Sequence, residues 1–156
     1  MIERAHIEVF VDSLTRYFSH LNQSTGARSE DLEISAPYLL NSSEVIGFDY
    51  TGMINVSGRH SGKVFITARS SMLKRILLLL GEQELSEELR RDLIGEVANT
   101  LAGNARRHLG ADFHISTPKV MKGAIETTRL KLSPRCFVLP FRWKSNVAEL
   151  IISVES

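Results

Sequence analysis

The sequence is short of the residues that most often announce chemistry. It has one cysteine, Cys136, so no disulfide can form within the chain, and a reducing, cytoplasmic setting is expected. Its place in a strand-like run marks Cys136 as a small packing residue rather than a nucleophile. Long apolar runs are missing too. The longest, Ile76–Leu80, falls far below the roughly 20 residues of a membrane-spanning helix. Acids stand early at the N-terminus with no continuous hydrophobic run, so no signal peptide is expected. The sequons at Asn22 and Asn41 therefore carry no meaning. Neither sign of charge dominates: 19 basic and 18 acidic residues leave a formal charge of +1. A nucleic-acid binder driven by phosphate neutralisation is thereby disfavoured. The five histidines show no metal-ligand spacing, and there is no HExxH, CxxC or clustered carboxylate set, so no metal is expected on the chain. No G-x-S-x-G elbow occurs. Gly58–Lys63 is one residue too short for a phosphate loop, lacks Ser/Thr after the lysine and does not lead into a helix.

What is present describes one folded unit. At 156 residues and 43% apolar, the chain is long enough to bury a core as a single domain spanning 1–156. Apolar spacing predicts a first helix from Ile2 to Leu21, with Ile2, Ala5, Val9, Leu14, Tyr17, Phe18 and Leu21 facing inward. A polar loop is expected at 22–31. Short strands are expected at 32–36, within 44–56 and at 63–68, with Gly58–Gly62 as a hairpin turn. Ser70 is expected to cap a helix that ends at Gly81, with Met72, Ile76, Leu79 and Leu80 in the core. Further strand-like runs lie at 113–115, 124–132, 136–143 and 147–154, with turn signals at Pro134-Arg135 and Ser145-Asn146. Short turns between strands imply antiparallel pairing. Grouped rather than alternating helices imply an α+β fold, a largely antiparallel sheet covered by long helices.

The stretch that organises the chain is Ser86–Leu109, the longest predicted helix. Ser86 suits the N-cap, Glu87 and Glu88 the positive end of the dipole, Arg106, Arg107 and His108 the negative end, and Gly110 the stop. Leu89, Leu93, Ile94, Val97, Leu101, Ala105 and Leu109 form an apolar stripe. Asp92, Glu96, Asn99, Gly103 and Arg106 fall opposite. Glu96 and Asn99, three apart, are neighbours. Gly103 leaves the backbone bare at a position where glycine disfavours helix by about 1 kcal/mol relative to alanine. Spacing alone would assign such a face to solvated surface.

The run Gly95-Glu96-Val97-Ala98-Asn99-Thr100-Leu101-Ala102-Gly103-Asn104 resembles the E-x-x-N…G-N helix of the CheC/CheX/FliY chemotaxis phosphatases. Val45-Ile46-Gly47, the Gly58–Gly62 turn, the helix ending at Gly81, Ile115-Ser116-Thr117-Pro118 and the closing strand 149–155 follow the CheX order. A single E-x-x-N is similar to CheX, whereas CheC typically has two. The resemblance implies a CheC/CheX-like fold and hydrolysis of the aspartyl phosphate of a CheY-type response regulator. Asn99 would position the attacking water, and Glu96 would pair with the regulator's lysine. Asp92, Gly103 and Arg106 would take part in docking, and Asn104 would be structural. It implies no cofactor on this chain, since Mg²⁺ would belong to the regulator, and it implies a homodimer joined through sheet edges, with no nucleic acid or membrane as partner. Two rivals stand beside this reading: a non-enzymatic adaptor or localisation module of the same fold, and a small-ligand sensor, which would need an apolar pocket.

Overall fold

A computed structural model describes residues 4–25 and 31–155. In chain order the elements are α1 (Arg4–Thr25), β1 (Leu32–Ile34), β2 (Tyr38–Asn41), β3 (Tyr50–Gly58), β4 (Ser61–Ala68), α2 (Ser70–Leu79), α3 (Glu87–Leu109), β5 (Phe113–Ile115), β6 (Lys119–Lys122), β7 (Arg135–Trp143) and β8 (Asn146–Glu155). All strand pairs are antiparallel. Four long strands form the centre in the order β7-β8-β4-β3. Each outer edge is completed by two short strands laid end to end. β2 and β1 pair with the first and last parts of β7, and β6 and β5 pair with the first and last parts of β3. The expected α+β architecture, a largely antiparallel sheet covered by helices, is what the chain adopts.

Strand alternation sends one set of side chains to the helices. Tyr50, Ile54 and Val56 of β3, Val64, Ile66 and Ala68 of β4, Leu139, Phe141 and Trp143 of β7, and Leu150, Ile152 and Val154 of β8 share one core with all three helices. The other face carries Met53, Phe65, Cys136, Val138 and Ile151, packed with Val45 and Ile125. Burial pushes the Cys136 thiol above its ordinary pKa, which suits a packing role.

Several local expectations are corrected. Residues 124–132 are not a strand but an irregular cover with a 3-10 turn at Thr127–Arg129. Its apolar Ile125, Leu130 and Leu132 cap the second face of the sheet, while the outer edge of β3 is already filled by β6 and β5. In α1 the inward stripe is Ile7, Phe10, Leu14, Phe18 and Leu21. Ala5 is exposed, Ile2 lies outside the described residues, and the helix runs on to Thr25. Ser70 does not cap α2: Arg69 holds the cap position, and the Asp49 carboxylate accepts the Ser70 N–H at 2.8 Å. Leu80 is 50% exposed, because the helix has already turned out. The Gly81 N–H bonds to the Leu78 carbonyl and the Glu82 N–H to the Leu77 carbonyl, with Gly81 at φ +87°, the Schellman stop. The β7–β8 turn is Lys144-Ser145, both left-handed (φ 47° and 69°), one residue earlier than expected. Asn146 instead donates its side-chain amide to the Lys144 carbonyl.

Candidate functional site on the outer face of α3

The cap signals of α3 operate as expected. Ser86 Oγ accepts the Leu89 N–H at 3.2 Å, and Gly110 closes the helix at φ +101°. Leu93, Ile94, Val97, Leu101 and Ala105 are buried. Fully burying one such aliphatic side chain contributes about 1.5–3 kcal/mol, so the inner stripe dictates which face remains outside.

Three features set the height of α3 over the sheet. Gly52 on β3 lies directly beneath the helix, where a Cβ would stand 2.6 Å from the Ile94 carbonyl oxygen and 2.9 Å from Ala98 Cβ. Gly95 faces β6, where a Cβ would meet Val120 at 3.1 Å. At the first turn of α3, Tyr50 donates its hydroxyl to Glu87 at 3.4 Å and accepts from Arg90 at 3.3 Å. Lys122 completes an ion pair with Glu87, and its hydrogen bond holds the Glu87 carboxyl below its ordinary pKa. Glu96 and Asn99 thus stand on a helix clamped close to β3 and β6.

The structure brings the predicted outer residues onto one line. Asp92, Glu96, Asn99 and Arg106 are exposed, with Gly103 half-buried between the last two. Open space lies above Gly103, where an added Cβ would meet nothing within 4 Å. Glu96 and Asn99 make no hydrogen bond or ion pair among the described residues. A carboxylate and an amide are therefore presented without a hydrogen-bond partner among the described residues, beside bare backbone. Asn104 is half-buried on the flank of the line.

Apolar patterning gives Tyr17 a packing role alone and says nothing of Gly52, yet both bear on this helix. Tyr17 of α1 stands close enough to Glu96 that the carboxylate charge adds to burial in raising the phenol pKa. Its place in the apolar stripe of α1 concealed this. Gly52 carried a usable signal, since glycine within a strand of larger residues marks a close backbone approach.

Two shallow depressions flank the C-terminal part of α3. One, of about 400 Å³, is lined by Gly103, Arg106, Arg107, Gly110, Ala111 and Ile115. The other, of about 430 Å³, lies between Asp12, Arg16 and neighbours on α1 and His108 on α3. A larger cleft of about 810 Å³ involves the second face of the sheet, with Tyr38, Leu40, Val138, Glu149 and Ile151 on its walls, and includes none of the predicted site residues. Burial raises the pKa of Glu149 there, and Tyr38 donates to it at 3.4 Å. Among the described residues no group of three or more His, Cys, Asp or Glu side chains could hold a metal ion. No helix among them is long and apolar enough to cross a membrane.

Comparison with known proteins bears on this arrangement. Residues 50–142 match the family model described as chemotaxis phosphatase CheX. A CheC-like superfamily protein from Shewanella sp. PV-4 superposes with a TM-score of 0.78 at 27% identity, over 99% of this chain and 100% of that one. Chemotaxis protein CheX from Vibrio vulnificus gives 0.75 at 27% identity, over 97% and 99%. At 18% identity, CheX from Borrelia burgdorferi, crystallised as a CheX–CheY–BeF₃–Mg²⁺ complex, shares the fold with a TM-score of 0.72 over 97% and 98%. No curated protein sequence matches this one.

Proposed function

This chain belongs to the CheX family of chemotaxis phosphatases, and on that premise we propose that it hydrolyses the aspartyl phosphate of a CheY-type response regulator by lending Asn99 to the regulator's own site. The observation that carries the reading is the Glu96–Asn99 pair on the exposed face of α3, hydrogen-bonded to no side chain among the described residues, with open space over Gly103 one turn beyond. The relative from Borrelia burgdorferi, whose complex holds CheY with Mg²⁺, supports a regulator of that kind as the partner.

An aspartyl phosphate is an activated acyl phosphate. Its hydrolysis asks a protein for positioning and charge stabilisation rather than for a nucleophile. A water oxygen attacks phosphorus in line, the bond from phosphorus to the aspartate oxygen breaks, and inorganic phosphate leaves a free carboxylate. The Asn99 amide offers one acceptor and two donors in a fixed plane, so it can hold the water on that line and gain rate through orientation. Glu96, one turn earlier on the same face, pairs with the regulator's lysine and orients the two proteins. Asp92, Gly103 and Arg106 extend the contact, and Asn104 supports the helix. The Mg²⁺ belongs to the regulator, and the reaction takes place in the cytoplasm where regulators are phosphorylated. The protein works as a homodimer joined through sheet edges, a state to be read by light scattering.

The deciding experiment incubates phosphorylated regulators with wild type and Asn99→Ala and follows phosphate release. Release by wild type that collapses in Asn99→Ala supports the assignment. Equal turnover by both refutes the role of Asn99. Binding without release favours the adaptor reading.

A further inference from the structure

The outer line of α3 is electrically polar along its length. Its N-terminal half carries Asp92 and Glu96, its middle the neutral Asn99 and Gly103, and its C-terminal part Arg106 with Arg107 beside it. A third guanidinium, Arg16, comes from α1 and lines the same depression as His108. Arg16, Arg106 and Arg107 form no ion pair among the described residues. The α3 dipole accounts for cations in its own last turn, but it does not account for an arginine on the middle of another helix converging on that end. Asp12 lines the α1 depression as well, and Asp112, exposed beside Ala111, adjoins the depression at Gly103–Ile115, so each depression has one acid near its basic side chains.

We infer that this basic end is a specificity surface: it takes an acidic patch on the regulator and fixes the rotation in which the two proteins meet. The inference rests on the proposed phosphatase reading. With the regulator's lysine at Glu96 and its phosphoryl group at Asn99, the remaining freedom is rotation about that contact. At 1.5 Å per helical residue, Arg106 lies about 10 Å beyond Asn99 and about 15 Å beyond Glu96. The fitting partner therefore carries a cation on one side of its phosphoryl group and carboxylates about 10 Å away on the other. A regulator lacking those carboxylates meets unpaired arginines and is disfavoured. Complementary charges of this kind act on encounter and partner choice more than on the chemical step.

The test compares wild type, Arg106→Gln/Arg107→Gln and Arg16→Gln on one phosphorylated regulator at low and high salt. Circular dichroism verifies that each variant keeps its helices. The expected result for the double variant is a KM raised roughly tenfold at low salt with kcat held within about twofold, and a flatter salt dependence of kcat/KM. Arg16→Gln moves KM in the same direction by less. Regulator variants with single acidic residues changed to lysine identify the patch by losing the difference between wild type and the double variant. Unchanged KM and salt dependence in folded variants would overturn the inference, and with it the docking role of Arg106, while leaving the Asn99 chemistry intact. A wild type that releases no phosphate from any regulator would instead remove the reading beneath it.

Discussion

Gly52 and Ile94 are in backbone-to-backbone apposition: a methyl group on Gly52 would stand 2.6 Å from the Ile94 carbonyl oxygen. A carbonyl in the middle of a helix cannot swing aside as a side chain can. The whole of α3 must therefore rise or slide to admit any larger residue on β3. Glu96 and Asn99 ride on that helix within five residues of Ile94.

Gly52→Ala is therefore expected to destabilise the protein by about 1–3 kcal/mol, the range for overpacking a close-packed site. Urea denaturation measures this. The same variant should lose phosphatase activity out of proportion to the folded fraction, because a shift near 1 Å at Asn99 costs on the order of a hundredfold in rate. Full specific activity in the folded fraction would separate Gly52 from the site.

Asn99→Ala should leave stability within about 0.5 kcal/mol of wild type, since the residue is exposed and unbonded. Its kcat should fall by roughly a hundredfold or more through lost orientation of the water. Asn99→Asp should be no better, because a carboxylate brings negative charge against a phosphoryl group. Glu96→Gln should raise KM together with any loss in kcat. Steady-state phosphate release beside a thermal melt distinguishes these effects from unfolding.

His60 sets a pH dependence of stability. The ring is buried at the β3–β4 turn, edge-to-face with His6 at 4.9 Å and against Phe113. Burial first, then the neighbouring His6 and Arg59, lower its pKa. The folded state thus holds the ring neutral to a lower pH than the unfolded chain, which titrates near the ordinary value of about 6.5. Between the two values the unfolded chain binds more protons, so stability falls as pH falls below about 6.5, by at most about 1.4 kcal/mol per pH unit from this one group. Above that pH the contribution is constant. Denaturation series across pH 5–8 should show the slope, and His60→Phe should flatten it.

Legibility in the sequence followed the number of independent signals at each place. α3 was readable because cap, stripe, charge bias and stop all agree on the same bounds, and its outer face then followed by subtraction. α1 is readable as a helix, and Leu14, Phe18 and Leu21 as part of its stripe, but its first turns are out of phase. Val9 and Tyr17 sit at the margin of its stripe, and Ile7 and Phe10 form its centre. The short strands β2 and β6 leave no signal in the sequence. Tyr38–Asn41 and Lys119–Lys122 have no alternating pattern of burial, and each is a strand because an open edge of β7 or β3 accepts its backbone. The irregular cover at 124–132 carries apolar residues for the same reason a strand would, to bury a sheet face, so composition could not separate the two. Glu96 and Asn99 stood out only through family likeness. An exposed acid and amide obey no packing rule that would betray them.

Gly103 offers the sharpest separation between stability and function. It lies inside α3, where glycine is about 1 kcal/mol less favourable than alanine, and a methyl there would touch nothing within 4 Å. The isolated protein gains from Gly103→Ala: the expected change is about 1 kcal/mol of added stability, a melting temperature higher by about 2–4 °C. Glycine at this position thus brings the free protein no packing benefit. If a regulator's surface closes over this backbone, the same methyl must be accommodated in the complex. The expected signature is a raised melting temperature with a raised KM, and a larger KM for Gly103→Leu. A more stable variant with unchanged KM would mean that the partner does not approach this turn, and would move the docking contact toward Asp92 and Glu96.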